Sequence, residues 1–311
     1  ELAEIIGIQA MYYSVYGLII DSTLDLPELQ TLDGTPKATD VEINLASLPK
    51  NGLDHAQQIG PYVWAGQNLL WLRVPGVATY LVSDGRRILI DSVEGIDSDS
   101  VRVFLLGSVF GALLLQRGYL VLNGNSIISD DTCLVCAGSP GSGNSSLTAG
   151  FLQRGHTVLG DELVALDSQG QISQGVPRIK LWEDMVDHFG LTNRGLHRIR
   201  PQLRKFNLPV PHVDQEQTWS VRYICILDDN RLSSNEIGVH PVHGLEKFML
   251  LYQCTCRKEF VAGMHLKRQH LELCSALASL AYMTRITYPR KSFLLDSVLD
   301  AILRDARRNT R

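Results

Sequence analysis

The chain has 311 residues, 45% of them apolar and 20% charged. That is long enough to bury a sizeable core and to hold two units. A formal net charge of −4 excludes nucleic acid as the main partner, because binding along a phosphate backbone takes a basic surface. The six cysteines lack the density of a disulfide framework and fit a reducing, cytoplasmic setting.

In chain order, residues 11 to about 95 read as short strands between turns. Tyr12–Ile20 and Val41–Leu45 alternate and are rich in β-branched residues, so each is expected as one strand. Tyr62–Trp64 and Leu69–Val74 flank Ala65-Gly66-Gln67-Asn68, a hairpin signal. Thr79–Val82 and Arg87–Ile90 flank Ser83-Asp84-Gly85-Arg86, a second one. No catalytic-looking cluster falls here. Residues 1–96 are therefore expected as an N-terminal β-rich domain and residues 97–311 as a second, α/β domain.

Val101–Leu115 is the most apolar segment, but it carries Arg102, Gly107 and Gly111. It is shorter than the roughly 20 residues a membrane span requires. With Asp97–Ser100 as capping residues, it predicts a buried helix. Neither a membrane partner nor a secretory signal is expected.

Strands follow at Tyr119–Leu122 and Thr132–Cys136, joined through Ser129-Asp130-Asp131. Cys133 and Cys136 form a C-x-x-C, yet they sit in an apolar run without a second pair, so they read as structural rather than as a redox or zinc site. A helix is expected over 145–154, then a strand from His156. Further on, Arg178–Trp182 reads as a strand, Glu183–Phe189 as a helix, and Asn193–Pro211 as basic and irregular. Trp219–Leu227 reads as a strand, Asp228-Asp229 as a turn, and 260–279 and 294–308 as helical. His265 and His270 are five apart, not the four that puts two imidazoles on one helix face, and are expected at the surface.

The segment that carries chemistry is Gly138-Ser139-Pro140-Gly141-Ser142-Gly143-Asn144-Ser145. It matches G-x-x-x-x-G-K-[ST] except that Asn144 stands at the lysine. Glycines let the backbone curl so that successive N–H groups face phosphate oxygens, and the helix that follows adds its positive end. The Ser145 hydroxyl is placed for magnesium. Asp161 and Glu162, expected at the end of the next strand, could orient a metal or take a proton from an attacking hydroxyl.

Taken in order, Tyr119–Ile127, the glycine loop, Gly150–Val158 with the acidic pair after it, and Pro177–Trp182 resemble the HPr kinase/phosphorylase superfamily. The resemblance is closest to HPr-kinase-like proteins of lasso-peptide biosynthesis, whose opening Tyr16–Leu29 also resembles. It implies a P-loop kinase core and transfer of phosphate from ATP (or GTP), with Mg2+, to a serine of a peptide or small protein. Members of the superfamily can be oligomeric, so a homo-oligomer is compatible. Carried over by position, Asp161 is the general base, Glu162 the second acidic residue and a metal ligand with Ser145, and Gly138, Gly141, Ser142, Gly143, Asn144, Ser145 and Ser146 the phosphate cradle. Arg178 and Lys180 are candidate phosphate or substrate contacts. The chain departs from the family at Asn144 for lysine, at Asn123 for a catalytic histidine, and at Glu162 for an aspartate. Two functions stay open: a serine kinase, or a lapsed pseudokinase that binds nucleotide or peptide.

Overall fold

The computed structural model describes residues 11–192, 195–214, 216–228, 236–289 and 294–310. It is mixed α/β and divides into two compact units. One holds Glu1–Gly118 and Arg257–Gln269, the other Tyr119–Cys256 and His270–Arg311.

Among the described residues, nine strands build the sheet of the first unit. They are β1 (Met11–Val15), β2 (Leu18–Ser22), β3 (Gln30–Thr31), β4 (Val41–Leu45), β5 (Gln57–Gly60), β6 (Val63–Gly66), β7 (Leu69–Val74), β8 (Ala78–Ser83) and β9 (Arg87–Ser92). Their order across the sheet is β3-β1-β2-β4-β9-β8-β7-β6-β5. The expected strand Tyr12–Ile20 is in fact a hairpin. Tyr16 and Gly17 take φ of 55° and 69°, the left-handed pair that a tight turn between twisted strands demands. The two other expected hairpins form as β6–β7 and β8–β9.

Helix α1 (Ser98–Phe104) runs through a π turn (Leu105–Val109) into α2 (Phe110–Gln116). Asp97 caps it, accepting from the Ser100 N–H at 2.7 Å. By length and composition alone Ser98–Gln116 could cross a membrane, yet 72% of its most apolar window is buried in the protein. The π turn and α2 pack on β8, and Tyr80 Oη donates to the Val101 carbonyl at 2.9 Å. This moves the expected boundary at 96/97 to 118/119. The helix buries its apolar side on the first sheet, so it belongs to the unit before it.

In the second unit, β10 (Leu120–Ser129), β11 (Thr132–Gly138) and β12 (Thr157–Leu166) join β16 (Trp219–Asp228), β17 (Gly238–Pro241) and β18 (Tyr282–Thr287) in the order β12-β10-β11-β16-β18-β17. β13 (Gln171–Ile172) pairs with the edge of β16, and β14 (Arg178–Trp182) with β15 (Lys205–Pro209) makes a separate ribbon. Strands β11, β16 and β18 run parallel; β10 is antiparallel to both neighbours. The helices are α3 (Asn144–Gln153), α4 (Glu183–His188), α5 (Leu245–Cys254), α6 (Lys258–Gly263, in the first unit), α7 (Lys267–Leu280) and α8 (Leu295–Asn309).

Apolar side chains cover both faces of this sheet. Ile127, Leu134 and Cys136 meet Phe151, Ile179, Leu208 and Ile302 on one face. Leu122, Cys133 and Val135 meet Leu251, Cys274 and Leu277 on the other. The C-x-x-C is thereby resolved as structural: three residues apart on a strand, Cys133 and Cys136 point to opposite faces. None of the six cysteines is in a disulfide, and all are buried.

Several expectations change. The acidic pair lies in the middle of one ten-residue strand, β12, not at a strand end. The helical stretch 260–279 is broken between α6 and α7, where His265 takes φ 62°. The basic stretch Asn193–Pro211 contains β15. His270 is buried at 3% exposure rather than superficial. Asp228 ends β16, and the turn expected after it lies outside the described residues.

Candidate functional site

The glycine loop leaves the carboxyl end of β11 and enters α3, the place where open α/β sheets take ligands. Gly141 and Gly143 both adopt φ 90°, a conformation that side chains resist. A Cβ on Gly138 would stand 2.5 Å from Ser142 Oγ and 3.0 Å from the Leu227 carbonyl of β16, so a side chain there would crowd the loop. The first α3 bond runs from Leu147 N–H to the Gly143 carbonyl at 3.0 Å. The N–H groups of Asn144, Ser145 and Ser146 precede it and have no acceptor within the helix. They form the positive end of a ten-residue helix beside the loop.

Asp161 organises what lies behind the loop. Its register partner on β10 is Asn125, and its carboxylate points at α3. Ser145 Oγ donates to Oδ2 at 2.9 Å, Thr148 Oγ1 lies 2.9 Å from Oδ1, and the Lys180 N–H reaches Oδ2 at 3.3 Å. Burial pushes the Asp161 carboxyl above its ordinary value, and the hydrogen bonds from Ser145, Thr148 and Lys180 only partly offset this.

Glu162 behaves differently. It takes φ 79°, which side chains rarely adopt. Its carboxylate pairs with Lys180 Nζ, although Glu162 is 42% exposed and Lys180 only 7%. Burial would raise this carboxyl, but Lys180, Arg178 and Lys205 outweigh it and hold Glu162 below the ordinary range. Burial lowers the Lys180 ammonium, with Glu162 acting against it. Two adjacent carboxyls are thus driven apart, one towards the neutral acid and one towards the anion. That arrangement separates acid–base work from charge pairing.

The predicted loop residues come together as one unit. Asn144 Nδ2 turns back towards the Gly138 carbonyl at 3.5 Å. Asn144 Oδ1 and Ser142 Oγ are buried without a hydrogen-bond partner, as befits a cradle whose polar atoms await a ligand. Arg178 and Lys180 sit buried on β14, which packs against α3 and β12. Asn123 pairs with Leu163 of β12 and immediately precedes Gly124, whose partner on β11 is Ala137, next to Gly138. It makes no side-chain hydrogen bond among the described residues.

Three residues that sequence reasoning passes over complete the site. Asn125, fully buried, donates from Nδ2 to the Asn144 carbonyl at 3.0 Å. It lies two residues after Asn123, on the same strand face, and that spacing is the available signal. Thr148 is one helical turn beyond Asn144, and its hydroxyl lies 2.9 Å from the Asn144 carbonyl. Tyr288, just past β18, donates its hydroxyl to the Ser142 carbonyl; nothing local in the sequence announces it.

These residues fit a phosphate chain: a curled glycine backbone, unspent N–H groups, two unpartnered polar atoms and nearby cations. A metal held by protein alone is a poorer fit, because no group of three or more His, Cys, Asp and Glu converges among the described residues. Ser145 with Asp161 suits a divalent ion that arrives with phosphates.

No family model matches the chain, and no curated protein does. Among solved structures, the chain is similar to the HPr(Ser) kinase/phosphatase from Coxiella burnetii. The match has 14% identity and a TM-score of 0.31, over 60% of this chain and 95% of that one. At that identity and score the likeness assigns neither activity nor substrate to this chain.

Proposed function

We propose that this chain is an HPr-kinase-like P-loop phosphotransferase. It would transfer the terminal phosphate of ATP (or GTP) to a serine of a peptide or small protein, such as a lasso-peptide precursor. The observation that carries the reading is the Ser145–Asp161 hydrogen bond at the start of α3, directly behind a glycine loop with unspent N–H groups.

In this reading Gly138 and Gly141–Ser146 would hold the phosphates, and the Ser145 hydroxyl would help hold a magnesium ion that neutralises phosphate charge. The acceptor serine Oγ forms a bond to the γ-phosphorus while the bond to the β,γ-bridging oxygen breaks. The serine proton passes to Asp161, and the nucleoside diphosphate leaves. The raised affinity of Asp161 for a proton suits that role. Charge on the transferring group is met by the α3 N–H groups, Arg178 and Lys180.

The second reading, a module that binds nucleotide or peptide and transfers nothing, is favoured by Asn144, which places a neutral amide at the lysine position. Mass spectrometry of candidate peptides incubated with ATP, magnesium and the protein separates the two. Phosphoserine formed by the natural chain and lost in Asp161→Ala supports the kinase. No transfer by the natural chain, with transfer restored by Asn144→Lys, supports the lapsed module.

A further inference from the structure

If the loop holds phosphates, as proposed above, the arrangement around it gives Lys180 a specific role among the cations named there. A phosphate chain carries several negative charges, and α3 contributes about half a unit of positive charge at its start. Asn144 adds none. The missing charge has a candidate source on β14. Lys180 is anchored there by its own N–H, which bonds Asp161 Oδ2 at 3.3 Å, the same oxygen that holds Ser145 at 2.9 Å. The lysine backbone is thus one carboxylate away from the first turn of the loop helix.

Three cations, Lys180, Arg178 and Lys205, act on the carboxylate of Glu162, and Asp161 is the adjacent acid. The partners of the ion pair are unequal, since Lys180 is 7% exposed and Glu162 is 42% exposed. The Glu162 carboxylate has a side open to solvent and the Lys180 ammonium does not, and a buried ammonium cannot stay unpaired. A carboxylate in that position occupies the place of an anion. Its unusual backbone, φ 79°, is the kind of strain that persists at functional sites.

We propose that Lys180 is the cation of the phosphate site, supplied from β14 in place of a lysine at position 144. Glu162 is its resting partner, displaced when the β- and γ-phosphates of a nucleoside triphosphate arrive. The four-carbon stem of lysine is flexible enough for the ammonium to change partners. The pair therefore selects for an anion of higher charge than one carboxylate.

Calorimetric titration with tripolyphosphate and with magnesium–ATP, at constant ionic strength, tests this on the full chain. Lys180→Met is expected to weaken binding about tenfold or more, and Glu162→Gln to tighten it by removing the competing carboxylate. Asn144→Lys added to Lys180→Met is expected to restore the lost affinity, because the charge returns from the other side of the site. A purely structural Lys180 would give no such rescue and no tightening in Glu162→Gln. Equal binding by the natural chain and Lys180→Met overturns the assignment while leaving the phosphate reading intact. Absence of binding by the natural chain overturns both. If Lys180→Met does not fold, Glu162→Gln decides: tighter binding supports the proposal, and unchanged or weaker binding overturns it.

Discussion

Ser145 Oγ and Asp161 Oδ2 lie 2.9 Å apart, joining the first turn of α3 to the middle of β12 through one buried carboxylate. The same carboxylate meets Thr148 on the next turn of α3 and the backbone of β14. Helix, strand and ribbon therefore share a single acidic group, which makes Asp161 the most informative position to change.

Asp161→Asn is expected to fold and to lose activity. Its amide oxygen can take the bonds from Ser145 and Lys180, while its NH2 donates to Thr148 Oγ1, whose own proton goes to the Asn144 carbonyl at 2.9 Å. Phosphate transfer should fall by about 10²-fold or more, the contribution of a lost general base. The natural Asp161 has a folded pKa raised above its ordinary 3.8. Its contribution to stability is therefore full below 3.8 and is lost as pH rises through the folded value. The melting temperature of Asp161→Asn relative to the natural chain should accordingly rise with pH over that window, as thermal denaturation at stepped pH would measure.

Asn144→Lys places a cation on the loop helix. If the scaffold is competent, transfer should increase, by up to about 10²–10³-fold, the range attached to one preorganised donor at a developing charge. Single-turnover kinetics with a serine peptide reads the change directly.

Gly124→Ala tests the pairing of β10 with β11. A Cβ at that position would lie 2.9 Å from the Ala137 Cα and closer still to the Cys136 carbonyl oxygen. Backbone cannot yield as a flexible side chain can. The expected loss is about 1–3 kcal/mol or more, seen as a lower denaturant midpoint.

His270 gives the second unit a separate acid sensitivity. Thr255 Oγ1 donates to the Leu251 carbonyl at 3.0 Å and so accepts from His270 Nε2–H at 2.9 Å; Nδ1 faces Cys274 Sγ at 3.3 Å. Burial lowers the imidazole below its ordinary 6.5. Stability from the neutral ring is present above pH 6.5 and is lost as pH falls through the folded value. His270→Leu should flatten the stability profile below pH 6.5, as chemical denaturation would show.

Part of this architecture is legible in the amino-acid sequence. The strand, glycine loop and helix over 132–153 are local: an apolar run, glycines free to take positive φ and the spacing of the loop act over a few residues. The hairpins β6–β7 and β8–β9 are legible for the same reason. The turn at Tyr16-Gly17 is not, because tyrosine seldom takes a left-handed conformation, so the run around it imitates one strand.

The loop, its lack of a lysine and the acidic pair beyond it follow from the order of residues alone. Which side chains meet there is settled by pairing between distant segments. The β10–β12 register sets Asn125, rather than Asn123, opposite Asp161, and a two-residue step along a strand moves a side chain by about 7 Å. The β14 ribbon brings Lys180 to both Asp161 and Glu162, and β18 delivers Tyr288 to the loop from well over a hundred residues away in sequence. Such packing depends on the whole apolar pattern, not on any local window. That is why the cradle and its candidate charged residues can be named from the chain, while which of them pair cannot.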